Sequence, residues 1–500
     1  MKKNILNLFL LTAAISVVGG CKPGDFGDIN VSPNSPTTPV TSLLLSSAER
    51  YMGRTTAVTS TVTAPGVIND YAPKLYTQQI SETLYTSESR YNTKIYNYTG
   101  IYNSPLEDLQ TIIQLNTDAA TKGLPNVANN GGNTSQIGVA RILKAFYFQN
   151  ITDRWGDVPY TEALKGLALA TPKFDKQQDI YTALFKELKE GAAQVTGAVG
   201  GDFLFNGDVA KWKRFAATIR MNMALRMSKA DPATGKTEFN LALADGVINS
   251  NAENVVYTTL SESANENPIY YNYQVQGRYD YAASNTMVNK LTALGDPRLP
   301  VYADKTAAGT YVGMPYGLTQ ALSAKYLPGQ VGNPGTVSLI GAAFRVQNAP
   351  IRIFTYPEVL FSKAEAYKLG WITGVPDEAQ AATTYLAAIA ANMALNGVTV
   401  PATYYTQPSV AYVPATGLEQ IITQKWIANY MGYGYEAWSD WRRTGFPVLT
   451  PSAYPQNLGG KIPVRQGYTA DEPSLNKANY NAVVASQGPD ELNTPIWLFK

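Results

Sequence analysis

A chain of 500 residues with no histidine and a single cysteine leaves little room for several common chemistries. Ser-His-Asp and Cys-His catalysis, histidine-ligated zinc or haem, and redox pairs of cysteines are all excluded. Charge is scarce too: charged residues make up 16% of the chain, against about 25% in an average soluble domain. Lys and Arg together number 40 and Asp and Glu 38, so there is no basic excess to collect phosphates, and nucleic acid is not an expected partner. Phenylalanine is sparse beside tyrosine, 15 against 33. What is present is an apolar fraction of 45%, ample for a buried core, and a surface that must be largely neutral-polar and phenolic.

Long apolar runs are confined to the N-terminus. Lys2 and Lys3 precede an apolar stretch from Ile5 to Val18 and the small residues Gly19 and Gly20, which together read as a secretory signal over residues 1–20, too short to span a membrane. The sole cysteine, Cys21, stands where a bacterial lipoprotein signal needs a thiol to take diacylglycerol; a plain signal peptide ending near a cysteine is the alternative. Loss of Lys2 and Lys3 would leave 38 basic residues against 38 acidic ones. Residues 21–39 are rich in Pro, Gly, Asn and Ser and read as a lipidated tether, with the lipid as the expected membrane attachment.

From residue 40 to 500 helical periodicity dominates, and the expected fold class is mainly α in one domain. Val209, Trp212, Ala216, Ile219, Met223 and Met227 recur at spacings of three and four, with Asp208 as N-cap and Asp231-Pro232 as the stop. A second helix is predicted from Pro357 through Trp371, stopping near Gly370, and a third from a Thr416 to Glu419 capping box through Trp426. Further helices are predicted at 41–54, 106–120, 136–152, 177–193, 238–249, 284–294 and 376–396. Between them run long loops without clear period, at 62–100, 253–283, 302–349 and 398–415; loops of this length are usually functional or disordered. These loops hold much of the tyrosine: residues 71–102 carry Tyr71, Tyr76, Tyr85, Tyr91, Tyr96, Tyr98 and Tyr102, and residues 270–281 carry Tyr270, Tyr271, Tyr273, Tyr279 and Tyr281.

Several segments carry a family resemblance: Phe26–Asn30 with Pro33-Asn34, Arg141–Leu164, Asp296–Leu299, Tyr356–Trp371, Gln424–Leu449 and Ile462–Asn476. In this order they resemble the SusD/RagB outer-membrane nutrient-binding lipoproteins over nearly the whole chain after Cys21. The resemblance implies four tetratricopeptide-like helix pairs supporting a loop-rich ligand-binding half. It also implies a SusC-like TonB-dependent transporter as partner, with the lipoprotein as its surface-exposed lid on the outer membrane. The acidic residues after Cys21 are spread out as Asp25 and Asp28 where a surface-export signal would bunch them.

The charged and aromatic motifs Asp153–Tyr160 and Glu436–Arg443 are expected to be structural, their arginines forking onto nearby carboxylates. Binding is expected to fall to the loops. A sugar offers an apolar C–H face and an edge of hydroxyls, so it suits flat phenolic rings with polar groups at the margin. The candidate ligand residues are Tyr71, Tyr76, Tyr85, Tyr91, Asn92, Tyr96, Tyr270, Tyr271, Tyr273, Arg278 and Asp280. Replacing Tyr91 or Tyr271 by Ala is expected to weaken ligand without unfolding. Oligosaccharide is the preferred ligand and oligopeptide the alternative, since Asn, Gln, Ser and Thr could line a peptide groove equally well. A glycosidase needs only two carboxylates and no histidine, but no nucleophile motif, phosphate loop, HExxH or CxxC occurs, so no catalytic residue is assigned. No cofactor is expected: calcium on loop oxygens would be compatible with the composition, but no D-x-D-x-D-G loop is present.

Overall fold

The computed structural model describes residues 38–53, 71–326 and 335–500. Cys21, the signal segment and almost all of the tether lie outside the described residues, as do residues 62–70 and 327–334 of the long loops. The chain divides into units of residues 1–40 and 41–500, and only the second is described below. Helices of nine residues or more are numbered. In order they are α1 (Thr41–Gly53), α2 (Glu107–Thr117), α3 (Asn133–Trp155), α4 (Gln177–Gln194), α5 (Val209–Arg226) and α6 (Pro232–Asp245), followed by α7 (Asn285–Ala293), α8 (Tyr356–Lys368), α9 (Glu378–Leu395), α10 (Gly417–Ala428), α11 (Gly434–Thr444) and α12 (Lys477–Gln487). Four short strands, β1 (Ile80–Glu82), β2 (Val255–Tyr257), β3 (Tyr281–Ala283) and β4 (Ile351–Phe354), form two antiparallel two-stranded ribbons, β1 with β3 and β2 with β4. The fold is mainly α, as expected. Among the described residues no helix is long and apolar enough to cross a membrane.

Three consecutive pairs of helices, α3 with α4, α5 with α6 and α8 with α9, pack antiparallel. In α3 and α4, Arg141 bonds Glu187 at 2.8 Å, and Gly138 comes so close to Gly191 that a Cβ on Gly138 would meet the Gly191 carbonyl at 2.7 Å. Arg220 reaches Glu238 across α5 and α6 at 3.2 Å, and Lys368 reaches Glu378 across α8 and α9 at 2.9 Å. Asp208 caps α5 by accepting from the Lys211 N–H at 3.1 Å. Asp231-Pro232 ends that run and also starts the next: Asp231 accepts from the Thr234 N–H at 3.1 Å and Pro232 sits at N1, so α6 begins six residues before the predicted 238.

The capping box expected at Thr416 is not formed. A 3₁₀ turn over Pro414–Thr416 leads straight into α10, leaving Thr416 without a side-chain cap bond. The box lies at α8, where the Glu358 carboxylate accepts from the Thr355 N–H at 2.6 Å and from the Thr355 hydroxyl at 2.9 Å. Thr355→Ala should therefore cost about 1 kcal/mol in urea unfolding, whereas Thr416→Ala should stay within about 0.5 kcal/mol. Burial, followed by the nearby Glu436, pushes the Glu358 carboxyl from its ordinary 4.5 up to about 8. The folded chain thus holds a proton that the unfolded chain releases near 4.5. The contribution is full below pH 4.5 and is lost as pH rises through about 8. Unfolding midpoints should fall from pH 5 to pH 8 by a smaller amount in Glu358→Gln than in the parent, and equal slopes would contradict this.

The motif segments converge in a buried charge network where α3, α5, α8, α10 and α11 meet. Arg226 bridges Asp153 at 3.2 Å and Glu436; Arg443 forks onto Glu365 and bonds Asp440 at 2.6 Å; Lys425 also bonds Asp440, at 2.8 Å. Arg154 lies between the rings of Trp155 and Tyr435, 4.2 and 4.7 Å from their centroids, and donates to Gln466 at 2.6 Å. Arg442 sits 3.7 Å over Trp438, and burial pushes its guanidinium down to about 9. A second buried cluster forms at Asp296 and Arg298, which bond each other at 2.6 Å while Asn392, Gln424 and Tyr404 supply the remaining partners. The two motifs are structural, as expected, and Arg443 forks onto a carboxylate; Arg442 instead stacks on Trp438 and donates to the Asp153 and Val464 carbonyls, and Arg154 donates to Gln466.

Candidate functional site

The two tyrosine-bearing loops, about 200 residues apart in sequence, are brought together by the β1 and β3 ribbon. Its register places Ile80 opposite Ala283, Ser81 opposite Ala282 and Glu82 opposite Tyr281. Ile80, Ser81, Ala282 and Ala283 are all buried, so both faces of the ribbon are covered at this end. The ladder continues one step: the Thr83 N–H donates to the Asp280 carbonyl at 2.9 Å, and the Thr83 hydroxyl donates to the Tyr279 carbonyl.

At this ribbon Tyr71 stacks on Tyr281, with ring centroids 4.4 Å apart and planes at 21°. Tyr85, 54% exposed, stands just beyond β1 with the Arg278 guanidinium 5.0 Å over its ring. Arg278 is held there by Asp280, Nη2 to Oδ2 at 2.8 Å and Nε to Oδ1 at 3.2 Å. Asp280 is in turn bound by Asn272, whose side-chain amide donates to Oδ2 at 2.8 Å while its oxygen accepts the Asp280 N–H at 3.2 Å. On the Tyr71 side a small cleft is lined by Tyr71, Lys74, Asn267, Ile269, Phe344 and Met431.

The other candidates separate by burial. Tyr76, Tyr91 and Tyr273 are buried within the core. Tyr76 packs on Tyr91 and on Trp438, and its hydroxyl lies 2.6 Å from that of Tyr96, which in turn bonds Glu88. The Tyr91 hydroxyl accepts the Ser452 N–H at 3.1 Å, and the Tyr273 hydroxyl donates to the Tyr281 carbonyl. Tyr91→Ala is therefore a packing lesion, and the expectation that it would spare the fold is corrected: a ring 1% exposed leaves a cavity when removed. Tyr96, Tyr270 and Tyr271 are half-buried and Asn92 is exposed.

The carboxylates of this region are already engaged. Glu82 accepts from the Ser89 N–H at 2.8 Å and the Ser89 hydroxyl at 2.7 Å, and burial pushes its carboxyl up to about 7 against those bonds. Glu88 serves Tyr76 and Tyr96, and Asp280 serves Asn272 and Arg278. The arrangement offers a ring and a guanidinium edge to a ligand. Asn272, Tyr279 and Tyr281 were not among the candidates; the alternation of Tyr and Asn over Tyr270–Tyr273 was the one available signal for Asn272.

A family model described as starch-binding and associating with the outer membrane matches residues 33–469. The chain belongs to the SusD-like family. Among solved structures it is similar to a chitin-binding protein, 26% identical with a TM-score of 0.72 over 92% of this chain and 98% of that one. A chitin-binding SusD homologue from Flavobacterium johnsoniae is 22% identical, TM-score 0.71, over 92% and 98% of the two chains. A SusD homologue from Bacteroides vulgatus is 19% identical, TM-score 0.74, over 96% and 99%. The latter two likenesses show the fold. Among curated protein sequences no match was found.

Proposed function

We propose that this protein is a lipoprotein, anchored through Cys21 at the outer membrane and exposed at the cell surface, which binds oligosaccharides and passes them to a SusC-like TonB-dependent transporter. The observation that carries the ligand class is the Tyr85 ring, 54% exposed with the Arg278 guanidinium 5.0 Å over it. Such a ring receives the C–H face of a sugar, and the guanidinium edge beside it meets the hydroxyls. Family membership and the chitin-binding relative at 26% identity support the same ligand class. In this reading the protein binds its ligand without cleaving it, and Glu82, Glu88 and Asp280 serve the fold through their hydrogen bonds.

Titration calorimetry of the protein against a panel of neutral oligosaccharides and of oligopeptides tests the reading. Heat of binding with at least one glycan and none of the peptides is expected. Binding confined to peptides would replace the glycan assignment with the peptide one.

A further inference from the structure

We propose that Asp280, fixed by Asn272, masks the charge of Arg278 and thereby restricts the Tyr85 platform to uncharged oligosaccharides, rejecting those that carry carboxylates or sulfates. The inference deepens the glycan reading and rests on it. An arginine beside an exposed aromatic ring is by its chemistry a fork for an anion, since the guanidinium presents parallel N–H groups that match a carboxylate or sulfate. Here that fork is filled from within the chain. Nε and Nη2 face the two oxygens of Asp280 at 3.2 and 2.8 Å.

Surface ion pairs are ordinarily loose, and the Arg278 side chain is 33% exposed. Asp280 is not loose. It is 7% exposed, sits directly before β3, and takes two hydrogen bonds from or to Asn272. The carboxylate therefore stays in place whether or not the arginine moves. A ligand carboxylate approaching Arg278 would have to displace Asp280 or sit beside it. The Nη1 end of the guanidinium is turned away from Asp280 and keeps N–H donors for a sugar hydroxyl or acetamide oxygen, while the adjacent carboxylate offsets the charge that would draw an anion there. Asn272 and Asp280 are in this account positioning residues for Arg278, and Asp280 sets the charge that a ligand meets.

The test is calorimetry on the full chain with two probes, an N-acetylglucosamine hexamer and a galacturonate hexamer. The parent protein should bind the neutral probe at least about tenfold tighter than the acidic one. Asp280→Asn should narrow that gap by about tenfold, the scale of one newly formed charge pair near a protein surface, and the gain should shrink with added salt. Adding Arg278→Gln to Asp280→Asn should abolish the gain. Should Asp280→Asn fail to fold, Arg278→Gln alone, which leaves Asp280 uncompensated, should widen the gap. Neutral binding retained with an unchanged ratio in either single variant would overturn the inference, as would a parent protein that prefers the acidic probe, while leaving the glycan reading intact. A parent protein that binds neither hexamer nor any other glycan would overturn the glycan reading itself.

Discussion

Arg443→Met is expected to destabilise the protein by about 3–5 kcal/mol, the cost of leaving a buried charge without its partner. Arg443 and Glu365 are both almost fully buried, and the Arg443 Nη2 atom lies 2.8 Å from the Glu365 carboxylate and 2.6 Å from Asp440. Asp440 keeps Lys425 at 2.8 Å when Arg443 is removed. Glu365 would lose both of its guanidinium contacts inside the junction of α8 and α11, which is why the loss is large for a single substitution. Replacing the pair together, as Glu365→Leu with Arg443→Met, should restore most of the stability, because two apolar groups of similar volume avoid the desolvation that the ions suffer. Urea unfolding of the two single variants and the double variant measures the coupling. Additive losses would show that the pair does not act as a unit.

Tyr85→Ala is expected to weaken oligosaccharide binding by about 10- to 100-fold, the range of an aromatic anchor at the centre of a contact, while shifting unfolding by no more than about 0.5 kcal/mol. The small stability effect follows from its position: the ring is 54% exposed, with the Arg278 guanidinium 5.0 Å over it. Tyr91→Ala is the control with the opposite pattern, losing stability through its buried ring and its bond to Ser452. Equal binding by Tyr85→Ala and the parent would move the site away from the β1 and β3 ribbon.

Much of the scaffold was legible because helix signals are local. Asp208, Ser284 and Asp377 sit as N-caps where the periodic runs begin, accepting from Lys211, Met287 and Gln380. Two of the numbered helices, α11 and α12, were missed, and for α11 the signals were present. In α11, Glu436 lies in the first turn, Arg442 and Arg443 in the last, and Gly445 takes φ 79° just past the end. Its charges read as a motif for ion pairing, which they also are, and that reading obscured the helix. The site was legible only as composition. Strands of three residues carry no readable alternation, so nothing local shows that Ile80 faces Ala283 or that Tyr85 meets Arg278. Burial likewise decides which tyrosines are platforms and which are core: Tyr85 and Tyr91 belong to the same loop, and a pairing some 200 residues distant separates them.

The most direct test is a crystal structure of the protein soaked with a neutral oligosaccharide. The account predicts a sugar ring lying on the exposed Tyr85 ring, with a hydroxyl or acetamide oxygen at the guanidinium edge of Arg278. A glycan bound at a surface that does not include Tyr85 and Arg278 would contradict it.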